Sequence, residues 1–131
     1  MISIDDRMAI LDLCAEYSYY IDTGESEKWA DTFTADGAFD GTVGRAQGRD
    51  ALVAFSEQFG RDYPGAMHFT DNHLFEPDGE AMKHKCFLSF QVPSDGGTSL
   101  TLVGYEDELV RVDGAWKFRS RRVGPLRGCP R

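Results

Sequence analysis

The chain has 131 residues, enough for one hydrophobic core and too few for two. Hydrophobic residues make up 41% and aromatics 12%, which excludes disorder as the state of the whole chain. Fourteen Lys and Arg stand against 22 Asp and Glu, a formal charge of -8, so the basic footprint of a nucleic-acid binder is missing.

The opening MISIDDR places two acids where a secretory signal carries basic charge and then an apolar run. No stretch approaches the roughly 20 apolar residues of a membrane span. A cytoplasmic protein that does not engage a membrane is the expectation. Cys14, Cys86 and Cys129 are odd in number and widely spaced, so they form neither a disulfide framework nor a CxxC zinc site.

Ser3 caps a helix predicted over 4 to 21, with Asp5 and Asp6 at its positive end and Thr23-Gly24 as its stop. Its apolar stripe is read as Met8, Leu11, Cys14 and Ala15, widened by Ile10, Leu13, Tyr17 and Ile21. A short helix over 26 to 33 sets Trp29 and Phe33 on one face. After the turn at Ala35-Asp36-Gly37, residues 38 to 42 read as a short strand, and Gly41, Gly44 and Gly48 break up its surroundings. A third helix covers 49 to 59.

From residue 66 the period changes to two. Strands are predicted over 67 to 75, 81 to 92, 98 to 112 and 115 to 123, joined at Pro77-Asp78-Gly79, Ser94-Asp95-Gly96-Gly97 and Asp113-Gly114. The fold class is therefore α+β, a single domain over 1–131 with three N-terminal helices packed on a curved antiparallel meander. A curled sheet of long strands leaves a cone whose mouth can hold a ligand. Alternation places His68, Thr70 and Asn72 on one face of their strand and His73 on the other. His84 shares the Met82 and Cys86 face and reads as a satisfied core histidine. His68 and Asn72 have no third ligand beside them, so no metal site is expected. Glycines at 41, 44 and 48 do not make a phosphate-binding loop, so no cofactor is expected either.

This order of elements resembles the NTF2-like superfamily in its SnoaL-like branch. The residues that carry the resemblance are Ile10-Leu11-Asp12-Leu13 with Tyr17 and Asp22, then Trp29-x-x-x-Phe33-x-x-Asp36-Gly37. Gly48-Arg49, His68-x-x-x-Asn72, and Asp113-Gly114-x-Trp116-Lys117-Phe118 with Arg121-Arg122-Val123 complete the set. The match spans about residues 4 to 123. Because this fold hosts many chemistries, the resemblance implies the fold more firmly than the activity.

Lyases of this fold, of the scytalone dehydratase, bile-acid 7α-dehydratase and dehydrochlorinase types, pair a pocket His with an Asp from the end of the first helix. The resemblance implies His68 as base, Asp22 as its orienting carboxylate, and Tyr17, five residues before Asp22, as hydroxyl donor. An imidazole is suited to take a C–H proton near neutral pH, a buried carboxylate fixes its tautomer, and a phenol steadies a leaving oxygen. A five-residue step turns a helix by roughly 140°, so Tyr17 and Asp22 converge only if Asp22 sits in the last turn.

Asn72, Arg122 and Trp29 are the substrate-binding candidates. Asn72 follows from strand parity with His68, and Trp29 either lines the pocket or packs in the core, as do Tyr19 and Tyr20. The related lyases carry a pocket Arg in the last strand; parity with Trp116 selects Arg122, and a bulge would select Arg121. The basic residues of that strand otherwise pair with Glu106 and Asp107 across the hairpin.

The expected function is that of a cofactor-independent lyase or isomerase acting on a small hydrophobic ring compound. The alternative is a non-catalytic module of the same fold that binds a small ligand. Epoxide hydrolysis through Asp36, Asp40 and Arg45 ranks last, since these residues do not match the Asp–Arg–Asp strand positions. Apolar residues on both faces of the 81–92 and 98–112 strands, with Phe87, Val103, Tyr105 and Leu109 assigned to one and Leu88, Phe90, Leu100 and Leu102 to the other, imply a homo-oligomer, dimer or trimer.

Overall fold

The computed structural model describes residues 1–42 and 44–126. Cys129 lies outside the described residues. Three helices, α1 (Ile4–Thr23), α2 (Ser26–Ala30) and α3 (Arg49–Asp62), pack on a six-stranded sheet. The strands are β1 (Phe33–Gly41), β2 (Gly44–Gln47), β3 (Met67–Asp78), β4 (Ala81–Ser94), β5 (Gly97–Val112) and β6 (Ala115–Gly124). Their order across the sheet is β2-β1-β6-β5-β4-β3.

The α+β class and the long meander agree with the sequence reading. Three features correct it. The sheet is mixed, because β1 runs parallel to β6 while all other pairs are antiparallel. β1 begins at Phe33, so α2 ends earlier and Phe33 packs on Trp29 from a strand. β2 is present between the glycines, pairing Phe39 with Ala46 and Asp40 with Arg45.

α1 starts where Ser3 Oγ accepts the Asp6 N–H at 3.0 Å. Its buried stripe is Ile10, Leu13, Cys14, Tyr17 and Ile21, spaced three and four apart. Met8, expected on that stripe, is 52% exposed. Gly24 closes the helix in the left-handed region, φ 75°, and its N–H returns to the Tyr20 carbonyl. At the β5–β6 turn Asp113 and Gly114 both take positive φ, 51° and 82°, the pair a type I′ hairpin requires.

The core lies between the helices and the inner face of the sheet. Trp29, Phe33, Phe39 and Phe118 meet there with Leu52, Met82, Leu88 and Leu109. Helix α1 is tied to the β5–β6 hairpin by Asp6, which accepts from Trp116 Nε1 at 3.0 Å and from Arg111 Nη2 at 2.6 Å.

Two bulges decide which side chains face inward. Pairing of β3 with β4 slips between Asp71 and Leu74, and Asn72 sits there with φ 57°. Pairing of β5 with β6 slips after Glu108, which faces Ser120 while Leu109 faces Phe118, leaving Arg119 as the extra residue. Each slip reverses the inside–outside alternation beyond it.

Candidate functional site

The end of α1 sets Asp22 against the start of β3. Asp22 Oδ1 lies 2.6 Å from His68 Nδ1, and Asp22 Oδ2 accepts the backbone N–H of His68 at 2.8 Å. One carboxylate thus holds both the ring and the strand that carries it. With Nδ1–H given to the carboxylate, Nε2 carries the lone pair of the neutral imidazole. The two side chains are 7% and 15% exposed. The His68 ring lies 4.9 Å from Phe90 and 5.6 Å from Phe59, with the edge of Tyr17 at 6.5 Å between centroids.

Asp22 and His68 line a groove of about 530 Å³ between α1 and β3, bordered by Ser18, Tyr19, Ala66 and Phe69. A groove of about 810 Å³ over the outer face of the sheet, walled by Lys83, Lys85, Glu106 and Arg122, does not reach this pair.

Tyr17 is buried under the same helix. Burial pushes its phenol up to about 12, against the opposing pull of the Arg121 guanidinium. Tyr17 and Asp22 reach His68 from different sides, the carboxylate on a ring nitrogen and the phenol ring edge-on, because Asp22 occupies the last turn of α1.

Trp29 is fully buried, stacked on Phe55 at 5.9 Å and edge-on to Phe33 and Phe39. Of the two roles open to it, the structure shows the packing one. Its Nε1 has no hydrogen-bond partner among the described residues.

Asn72 and Arg122 are not where parity predicts them. Asn72 is exposed at its bulge, beside Leu74, Phe87 and Arg122 on the outer face. Arg122 is also exposed and pairs with Glu106. The bulge at Arg119 instead turns Arg121 inward, where it is 1% exposed. The cross-hairpin pairing expected of the basic residues is seen in Arg121–Asp107 and Arg122–Glu106, and Arg119 pairs with Glu108, a partner not expected. His73, expected opposite His68, is turned to the inner face by the bulge at Asn72.

These reversals assemble a buried polar row whose parts, Arg121 under a bulge, Asp107 across the hairpin and a satisfied His84, the sequence reading named singly but did not join to one another or to His73. His84 pairs in register with Asp107, and Asp107 with Arg121. Arg121 Nε and Nη2 hold the two Asp107 oxygens at 2.8 and 2.9 Å. His84 Nδ1 meets Asp107 Oδ2 at 2.7 Å, and His84 Nε2 meets His73 Nδ1 at 3.0 Å. Burial alone would raise the Asp107 carboxyl, yet Arg121 and the His84 hydrogen bond outweigh it and hold it below the usual value. The guanidinium carbon stands 3.7 Å from the Tyr105 ring centre and 4.5 Å from that of Tyr17. Its Nη1 has no partner among the described residues. The available signal was the alternation of Tyr105, Asp107 and Leu109, which puts an acid on the apolar face of β5.

Helices folded over the inner face of a curved mixed sheet define the NTF2-like class of α+β proteins, and in this chain a His–Asp pair joins the first helix to the edge strand. Within it, this chain belongs to the SnoaL-like domain family, whose pattern it matches over residues 3–122. A single-site variant of Rv3472 from Mycobacterium tuberculosis, a protein of unknown function, superposes with a TM-score of 0.86 at 30% identity, covering 97% of this chain and 78% of that one. An NTF2-like protein with a cystatin-like fold from Novosphingobium aromaticivorans gives 0.85 at 22% identity, over 96% and 85% of the two chains. A protein of the same organism, provisionally named a scytalone dehydratase, gives 0.82 at 22% identity, over 98% and 97%. No curated protein matches this sequence.

Proposed function

We propose that this protein is a cofactor-independent lyase of the dehydratase kind, or an isomerase, that removes a proton from a small hydrophobic ring compound. The observation that carries this reading is the double hold of Asp22 on His68, at 2.6 Å to the ring and 2.8 Å to the backbone. It orients a neutral imidazole with one nitrogen committed to a carboxylate and the other available as base.

In the proposed elimination, His68 Nε2 takes a C–H proton, and the electron pair of that bond forms the new C=C. The neighbouring C–O bond breaks, and the imidazolium returns its proton to the leaving oxygen, so water departs and the base is restored. Asp22 stabilises the transient imidazolium. Tyr17, whose phenol keeps its proton at all ordinary pH, is the proposed donor to the oxygen that gains charge. Phe59 and Phe90 beside His68 give an apolar ring faces to lie against. Asn72 and Arg122, on the outer face, have no place in this scheme. A homo-oligomer joined through the outer face of the sheet belongs to the same proposal.

Thermal-shift screening against hydroxylated aromatic and polycyclic compounds, followed by product analysis of the hits, tests the reading. On a verified substrate His68→Ala is expected to abolish nearly all turnover. A wild-type rate in that variant overturns the assignment, and ligand stabilisation without conversion identifies a non-catalytic binding module instead.

A further inference from the structure

We propose that Cys14, His73 and His84 form a binding site for a divalent transition ion of the zinc class, separate from the His68–Asp22 pair. Their ligand atoms all lie within 4.8 Å of one another. Three elements supply them: Cys14 from the buried stripe of α1, His84 from the inner face of β4, and His73 from β3.

His73 reaches this place only through backbone irregularity. Asn72 holds a left-handed conformation, φ 57°, and the extra residue turns His73 away from the face that alternation assigns to it. A bulge that re-aims one side chain is a conserved kind of device around functional sites. Here it delivers a second imidazole to a buried one, with His73 Nδ1 3.0 Å from His84 Nε2.

The distances suit coordination. Around a tetrahedral zinc-type ion, metal–nitrogen bonds of about 2.0–2.1 Å and metal–sulfur bonds of about 2.3 Å place neighbouring donors roughly 3.3–3.8 Å apart. The two nitrogens, 3.0 Å apart, need to open by about 0.3 Å, and the sulfur needs to close by at most about 1.3 Å. An ion between the imidazoles replaces their mutual hydrogen bond.

The surroundings are those of a metal-bound histidine. Asp107 Oδ2, 2.7 Å from His84 Nδ1, accepts the hydrogen bond of the Nδ1–H tautomer, which leaves the Nε2 lone pair to the cluster. A carboxylate behind a ligating imidazole fixes its tautomer and raises its basicity. Burial pushes the Cys14 thiol up to about 11 against the pull of Arg121 Nη2, 3.9 Å from Sγ, so an incoming ion has to displace the thiol proton. The Arg121 charge is offset by Asp107, which it grips with two nitrogens. Once the ion has displaced the thiol proton, thiolate, carboxylate and guanidinium together carry one net negative charge beside the cation. One sulfur and two imidazoles favour zinc, cobalt or copper over magnesium or calcium. A tetrahedral ion held by these three leaves a fourth position for water.

Cobalt(II) titration of the chelator-treated full chain reads this directly. One equivalent is expected to produce a thiolate-to-cobalt charge-transfer band with the intense visible bands of a four-coordinate ion, and zinc is expected to bleach both. Cys14→Ser should lose the charge-transfer band, and His73→Ala, at a half-buried strand position, should lose stoichiometric binding, with circular dichroism reporting the fold. Cys129→Ser and His68→Ala should titrate as the parent does. Absence of the bands in the parent, their survival in Cys14→Ser or His73→Ala, or their loss in Cys129→Ser or His68→Ala overturns the site as proposed.

Discussion

Asp22 shows how much one carboxylate can organise when a helix ends in the right place. Its two oxygens bind ring and backbone of the same histidine, so ring rotation and strand position are fixed together. On a substrate found by screening, Asp22→Asn should retain the fold and lower kcat by about 10²- to 10⁴-fold, because an amide neither fixes the tautomer nor stabilises the imidazolium. Tyr17→Phe should cost less, about 10- to 10³-fold, for one hydrogen bond to a developing charge. The Tyr17 phenol is pushed up to about 12, so its own ionisation should add no falling limb to kcat/KM across the neutral and mildly alkaline range. A rate that falls between neutrality and mildly alkaline pH in the parent but not in Tyr17→Phe would contradict this.

Among the elements, α1 serves both the fold and the site, and its two ends are held by different means. At the N-terminus Asp6 gathers Trp116 Nε1, the Ser3 side chain and Arg111, and these contacts, the Trp116 hydrogen bond foremost, hold its carboxyl below the usual value of 3.8. A carboxyl lowered in the folded state contributes stability above its unfolded value, and that contribution is lost as pH falls through the folded one. Asp6→Asn should therefore lower Tm at neutral pH, and the difference from the parent should shrink as the pH is taken down through 4 to 3. A difference that stays constant over that range would place the effect in packing rather than in charge. The bulges at Asn72 and Arg119 act on β3 and β6 in the same manner: each exchanges which of two neighbouring residues enters the core. His73 enters in place of Asn72, and Arg121 in place of Arg122.

Among the described residues the molecule is a one-layer sheet with helices on one face only, and no helix covers the other face. At one end of that outer face Met67, Phe69, Phe87, Leu100 and Leu102 are all 42% exposed or more. Cross-strand pairing sets Ser89 between Phe69 and Leu102 and Gln91 between Met67 and Leu100, so the apolar residues form two rows along β3 and β5 on this face. Tyr105 and Leu109, assigned to the same face as Phe87 in the sequence reading, are buried on the inner side instead. An apolar patch of this kind marks an association surface. Light scattering at micromolar concentration should give twice or three times 14.6 kDa, and Leu102→Lys should shift the mass toward the single chain. A parent that scatters as 14.6 kDa would refute this.

Local chemistry made much of the fold legible. The Ser3 cap, the Gly24 stop, the Asp113-Gly114 turn and the period-two runs are each written within a few neighbouring residues. The limits of α1 and of β4 to β6 therefore came close to those observed, while α2, β1 and β2 did not. The His68–Asp22 pair, 46 residues apart, was legible only through resemblance to a family, since nothing in spacing brings a helix end to an edge strand. Pairing of β1 with β6 escaped for a similar reason, because a parallel contact between the first and last strands leaves no turn signal. The inward places of His73 and Arg121 were decided by tertiary structure alone. An extra residue in a strand reverses every side chain beyond it, and where that residue falls is set by pairing with the neighbouring strand rather than by the strand's own pattern.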